Sequence, residues 1–213
     1  GWACAQAIAD RGRANWACLE LRSDRVFRTL ARSFLLQVPS LGLLAGDAVV
    51  GLQLLAPKSV ARVFVNFPEP PARRGSVEAG AGSPHLLTEA TLLLIRRALV
   101  PRGTLMLLSD NVDYLRQLAR LVDSAGGFKP CSPGSDAIRE KRRSSGKSGK
   151  EEKEEETATP IWRGRPGVEE CGAPDPAASS YFDRLWKRGG FSKRHFLLVS
   201  RCRLSGASAE PSS

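Results

Sequence analysis

The chain reads as an α/β fold, a doubly wound and mostly parallel sheet, on three observations. Short apolar runs alternate with longer stretches of helical periodicity along most of the 213 residues. No two of the apolar runs are joined by a hairpin turn signal, so each strand feeds a helix and the next strand returns parallel. Acidic residues stand at or just beyond the ends of three runs, Glu20, Asp47 and Asp110, and open α/β sheets gather their ligands at the carboxyl ends of strands.

The elements follow in order. Trp2 to Arg11 is small and apolar and reads as a helix, and Asn15 to Leu19 reads as a strand closed by Glu20. Ser23 to Leu36 reads as an amphipathic helix, because Val26, Leu30 and Phe34 recur at helical spacing. Leu41 to Ala45 is a short strand that stops at Gly46-Asp47-Ala48. Ser59 to Asn66 is β-branched and aromatic, hence a strand, and the prolines at 68, 70 and 71 cannot continue it. Leu86 to Leu99 reads as a helix, Thr104 to Ser109 as a strand and Val112 to Ser124 as a helix. A turn of helix near Phe182 to Lys187 and a final strand, His195 to Ser200, complete the set.

The proline loop is the sharpest local feature. Proline fixes its own φ and restricts the residue before it, so Asn66, the free carbonyls and Glu69 lose little entropy on binding. From composition alone an inert surface loop accounts for it equally well.

Composition bounds the partners. A net charge of +10 and a pI near 9.9 favour a polyanion. No apolar run reaches the ~18 residues that a membrane helix needs. Gly1 to Ala9 lacks the basic lead-in of a signal peptide. Five scattered cysteines, no C-x-x-C pair and two histidines offer no metal site, and they fit reduced thiols in an intracellular protein.

The chain divides at a charged low-complexity segment, residues 135–159. Basic Arg139 to Arg143 is followed by Glu151 to Glu156, with no apolar periodicity that could drive packing. The expected organisation is therefore one domain over 1–134, an insertion over 135–159, the rest of the same domain over 160–204, and a disordered tail over 205–213. A solvated tether is the simple reading of the insertion.

Five short motifs then fall in a fixed order: Leu19-Glu20-Leu21-Arg22, Gly46-Asp47-Ala48, Asn66-Phe67-Pro68-Glu69-Pro70, Leu107-Leu108-Ser109-Asp110 and Ser180-Tyr181-Phe182-Asp183. This order resembles the tRNA (guanine-N7-)-methyltransferases, class I S-adenosylmethionine-dependent enzymes that act on a guanine of the tRNA variable loop. The resemblance covers nearly all of the chain outside the insertion. It implies a Rossmann-like sheet with an antiparallel last strand, S-adenosylmethionine as cofactor and tRNA as substrate. It also implies a WD-repeat subunit if the protein is of the eukaryotic type, and no metal.

Carried over residue by residue, the resemblance makes Gly1 the last glycine of the cofactor loop. The first strand and the earlier glycines are expected to precede it. Glu20 would take the cofactor ribose with Leu21 and Arg22 beside it, Asp47 and Ala48 would border the adenine, and Asn66 would complete the cofactor side. Glu69 stands at the family's proposed catalytic aspartate. Arg73, Asp110, Ser180 and Asp183 match substrate-binding positions. Glutamate at 69, proline at 71 in place of a tryptophan, and a basic run reduced to Arg73-Arg74 leave a catalytically inactive RNA-binding relative as the alternative. Arg96, Arg97, Arg102, Arg184, Lys187, Arg188, Lys193 and Arg194 are open to either phosphate contact or a solvated helix face. His85 reads as a surface residue at a helix start.

Overall fold

A computed structural model describes residues 2–10, 12–70, 85–133, 138–140, 157–164 and 194–202. Its elements are α1 (Trp2–Asp10), β1 (Trp16–Glu20), α2 (Ser23–Leu35), β2 (Leu41–Ala45), α3 (Ala48–Leu54), β3 (Val60–Asn66), α4 (Glu89–Ala98), β4 (Leu99–Ser109), α5 (Val112–Ala125), β5 (Phe128–Pro130), β6 (Ile138–Arg139), β7 (Trp162–Arg163) and β8 (His195–Arg201).

The strands form two ladders. In the first, β1 pairs parallel with β2, from Trp16 opposite Leu41 to Glu20 opposite Ala45. The second has the order β3-β4-β8-β7-β6, with β5 also on β8. There β3 and β4 run parallel, and β8 runs antiparallel to β4, so the last strand is reversed as expected. No ladder joins β1 to β3 among the described residues.

The pleat of β4 sorts the core onto two faces, because successive side chains of a strand point to opposite sides. Leu105 and Leu107 pack with Leu52 of α3, Leu92 and Ile95 of α4, Leu115, Leu118 and Val122 of α5, and Leu197 and Val199 of β8. Met106 and Leu108 face the other way, against Phe196, Leu198, Phe64 and Trp162. On the first ladder α1 lays Cys4 and Ala7 over Leu41, Cys18 and Leu43. Its Trp2 meets Phe64 on the face opposite α3 to α5, with ring centroids 5.3 Å apart. Helices therefore cover both sides, as in a doubly wound fold.

Several expectations need correcting. Helix α3 was not anticipated. Strand β4 begins at Leu99 rather than Thr104, carrying Pro101 and Gly103 through a register shift between Val60 and Arg62 of its partner. A bulge tolerates both residues there. The apolar stripe of α2 does not turn inward: Val26 is half-buried, but Leu30 is exposed and Phe34 is 81% exposed, while Ser33 is the buried residue. Small residues let that helix sit close to the sheet instead.

The charged segment is anchored at both margins. Ile138 and Arg139 pair with Arg163 and Trp162. Thr159 is buried, and Asp123 accepts from its backbone N–H and hydroxyl and from the N–H of Ala158. The described residues at both margins thus pack on the folded body. The expected helical turn near Phe182 to Lys187 lies outside the described residues.

Two of the basic residues left open in the sequence are used internally. The Arg96 guanidinium donates to the carbonyls of Ala125 and Gly126 at the end of α5. That of Arg97 donates to the carbonyls of Leu52, Gln53 and Leu55 at the end of α3. Cations fit the carbonyl ends of helices, where acceptors lack partners.

Candidate active site

The parallel pairs β1–β2 and β3–β4 end in the turns that carry the expected site residues. Glu20 is the last residue of β1, and the Gly46 N–H just past β2 donates to its carbonyl at 3.1 Å. Gly46 has φ +143, which suits a residue without a Cβ, and a Cβ placed there would meet nothing within 4 Å. The turn is open. Asp47 caps α3, its Oδ1 accepting from the N–H of Val49 at 2.6 Å and of Val50 at 3.4 Å. Ala48 is the first residue of that helix.

Glu20 is bound on one side and free on the other. Oε1 accepts from the Arg22 N–H at 3.0 Å, Oε2 lies 3.7 Å from the Arg25 guanidinium, and the side chain keeps 27% exposure. Leu21 is strongly exposed beside it. The Arg22 guanidinium forks onto Asp24 at 3.0 and 3.2 Å. That hydrogen bond holds the Asp24 carboxyl below its usual range. It also raises the arginine, with smaller attractions from Glu20 and Glu69.

The Glu69 effect connects the two ladders. Arg22 follows β1 and Glu69 follows β3, so the ends of these strands lie within electrostatic reach of each other. Trp16, the first residue of β1, also stacks on Phe64 of β3 with centroids 5.7 Å apart. The Trp16–Phe64 stack and the Arg22–Glu69 attraction thus link the two ladders.

The proline loop is built as a rigid exit from β3. Asn66 is the last residue of the strand, paired with Leu108. The next residue, Phe67, takes φ +54, its N–H donating to the Leu108 carbonyl at 2.8 Å. Pro68 is buried, and Glu69 and Pro70 are exposed. Left-handed backbone at a bulky residue persists only where its surroundings enforce it. Here the strand bond and the buried proline do so, and they aim Glu69 outward.

The end of β4 lies beside β3. Asp110 is exposed between Ser109 and Asn111, where the Asn111 side chain caps α5 by accepting from the Tyr114 N–H at 3.0 Å. The structure thus brings Glu20, Leu21, Arg22, Asp47, Ala48, Asn66, Glu69 and Asp110 to strand ends, while Gly1, Arg73, Ser180 and Asp183 lie outside the described residues.

Sequence reasoning missed two residues here. His85, taken as a surface residue, is half-buried, and its Nε2 lies 3.1 Å from the Glu69 carbonyl and 2.5 Å from the Tyr114 hydroxyl. Its position directly after the glycine-rich spacer was the available signal.

The donor set can be tested against a nucleoside cofactor. Ribose hydroxyls need paired acceptors, and Glu20 offers a carboxylate with an open flank. A flat base needs space beside the turn, which Gly46 leaves. The residues present fit the nucleoside side of S-adenosylmethionine. Among the described residues no cluster suits a metal ion, and no helix is long and apolar enough to cross a membrane.

Comparison with known proteins finds relatives among methyltransferases. A curated tRNA (guanine-N(7)-)-methyltransferase of Rubrobacter xylanophilus is 24% identical over 116 residues, which cover 54% of this chain. The chain spans about half the length of that relative, 50%. Among solved structures, precorrin-6y C5,15-methyltransferase of Geobacter metallireducens matches at TM-score 0.49 and 11% identity, over 95% of this chain and 76% of that one. The [4+2]-cyclase SpnF matches at 0.48 and 10%, over 93% and 70%. The family model Methyltransf_4, described as "Putative methyltransferase", matches residues 1–163. With well over half of its length matched, and strand ends arranged as the motifs require, the chain belongs to the Methyltransf_4 family.

Proposed function

We propose that this chain carries out methyl transfer from S-adenosylmethionine to N7 of a guanine in the variable loop of tRNA. The observation that carries the reading is the placement of Glu20, Asp47, Glu69 and Asp110 at or just beyond the carboxyl ends of β1 to β4 in a member of this family. The similarity to a curated tRNA (guanine-N(7)-)-methyltransferase supports it.

When bound, S-adenosylmethionine supplies an electrophilic methyl on a sulfonium, whose positive charge passes to the guanine as N7 takes the methyl. Glu20 would hold the ribose on its open flank, with Leu21 and Arg22 beside it. Asp47 and Ala48 would wall the adenine, one oxygen of Asp47 being committed to its helix cap. Asn66 would close the cofactor side.

N7 already carries a free lone pair, so no general base is required and alignment is the protein's main contribution. Glu69 accepts from the ring N–H and exocyclic amine of guanine, which fixes where N7 points. Its charge offsets the positive charge that builds on the base. Asp110, with Arg73, Ser180 and Asp183, would hold the surrounding nucleotide, and the +10 chain would meet the phosphates. The four described cysteines are free thiols, which supports a reducing, intracellular compartment.

The test combines full-length protein, unmodified tRNA and labelled methyl donor, with mapping of the product. The expected result is label at N7 of a variable-loop guanine and a loss of ~100-fold or more in kcat for Glu69→Ala. Tight tRNA binding without transfer would overturn the reading in favour of an RNA-binding relative.

A further inference from the structure

We propose that His85 and Tyr114 are a positioning pair for Glu69, a latch that pins the proline loop to the start of α4 and to the first turn of α5. The proposal rests on the assignment of Glu69 to the substrate site. It goes further in naming what holds that carboxylate's backbone in place.

Three separate segments meet at one imidazole. His85 Nδ1 lies 3.0 Å from the Leu87 carbonyl, just before the Thr88 cap of α4. Nε2 lies 3.1 Å from the Glu69 carbonyl and 2.5 Å from the Tyr114 hydroxyl. The rings of His85 and Tyr114 meet edge to face, with centroids 5.5 Å apart. Leu87 and Tyr114 are only 2% and 3% exposed, so two of the three partners belong to the rigid core. The third is the loop itself. Two residues before Glu69 the Phe67 N–H donates to the Leu108 carbonyl, and Pro68 between Phe67 and Glu69 is buried. A second hold at Glu69 therefore fixes the residue whose side chain meets the base.

The protons can be placed. A carbonyl only accepts, so Nδ1–H donates to Leu87. Burial pushes the Tyr114 phenol up to about 12, which keeps its proton on oxygen at working pH. With His85 neutral, Nε2 accepts from the Tyr114 hydroxyl, which fixes the ring beside the loop without a hydrogen bond to the Glu69 carbonyl. With His85 protonated, Nε2–H donates to that carbonyl, and the tyrosine oxygen accepts alongside. In both states Tyr114 sets the ring, and the Nε2–H form adds the direct hydrogen bond that ties the ring to the loop. Neither residue touches the reacting atoms. The pair acts through Glu69, and a displacement near 1 Å at an aligned site is enough to cost up to ~100-fold in rate.

The experiment uses full-length protein with His85→Ala, His85→Gln and Tyr114→Phe. The last keeps the aromatic packing if the first fails to fold. Peptide-resolved amide exchange over residues 64–70 is read against β8 as an internal control. The expected result is exchange in that segment faster by about ten-fold or more in His85→Ala and Tyr114→Phe, with β8 unchanged. Turnover should fall about ten-fold or more, the KM for S-adenosylmethionine should stay within about two-fold, and His85→Gln, which keeps a donor, should recover part of it. Unchanged exchange in both variants overturns the proposal. So does faster exchange with turnover intact, which would reduce the pair to a structural clasp. If the wild-type protein transfers no methyl group, the functional reading fails on its own, and the exchange difference still decides whether His85 and Tyr114 hold the loop.

Discussion

Glu20 shows how much one side chain at a strand end is asked to do. It is tied to the Arg22 N–H and to Arg25, yet keeps a free flank, and it also acts on its own strand. Cys18, two residues back, has its thiol raised first by burial, then by the Glu20 charge and then by Cys4. A raised thiol is mostly protonated at neutral pH and so a poor nucleophile. Glu20→Gln removes one cause, moves the thiol back toward its ordinary value and increases its thiolate fraction. Iodoacetamide labelling of Cys18, with Cys202 as the internal reference, should therefore quicken by a few-fold, an effect on the order of one modest charge pair. An unchanged ratio would mean that the Glu20 carboxylate is turned away from this strand face. Asp47 shows what sequence could not resolve at this scale. An aspartate after a strand and a glycine suits a ligand contact, and it also suits a helix cap. The bond to the Val49 N–H shows the cap. Nothing in the residue type distinguishes the two.

At the scale of elements, the last turn of α4 acts as a fastener. Arg96 and Arg97 point in different directions and close the carbonyl ends of α5 and α3. Gly127 allows the first contact: its φ is +73, and a Cβ there would come within 2.5 Å of the Arg96 guanidinium. One nitrogen of Arg97, Nη2, reaches three carbonyls, at 3.2, 2.9 and 2.8 Å, so its two N–H groups are shared among them. Arg97→Ala should cost about 1 to 2 kcal/mol, the range for hydrogen bonds to a charged donor reduced for solvent exposure. Arg97→Lys, which keeps the charge and three donors but ends one bond short of Nη2, should recover part of that. Urea midpoints at unchanged slope measure both, and a loss too small to detect would remove α3 from the list of elements that this arginine holds. The same elements show what was readable. Periodicity located α4, α5, β2 and β8 to within about three residues. It missed α3, whose Val-Val-Gly core is a poor helix signal, and it missed β5 to β7, which are too short to show any period. It placed Val26, Leu30 and Phe34 on one face correctly, but the direction of that face depends on what α2 packs against, which no local pattern contains.

On the scale of the whole molecule, the two ladders are joined by side chains rather than by a shared backbone ladder. Trp2, Trp16 and Phe64 form the junction on one face, with centroid separations of 5.9, 5.3 and 5.7 Å. The Arg22 to Glu69 attraction crosses at the strand ends, but exposed charge pairs contribute little. The aromatic cluster therefore does most to hold the β1–β2 ladder against the β3–β4 ladder. Phe64→Ala removes the ring that touches both tryptophans. A fully buried phenylalanine costs ~3 to 5 kcal/mol on truncation; Phe64 is half-buried, so about 2 kcal/mol is expected. The more telling consequence is a loss of cooperativity. With the junction weakened, the β1–β2 ladder should open at lower urea than the β4–β8 core, whose side chains are nearly all buried. Exchange of β1 and β4 peptides across a urea series would show the two midpoints separating in Phe64→Ala, and Phe64→Leu should bring them partly together by restoring apolar contact without the stack. Coincident midpoints in Phe64→Ala would place the coupling of the two ladders elsewhere, in the packing of α3 against β1 and α4.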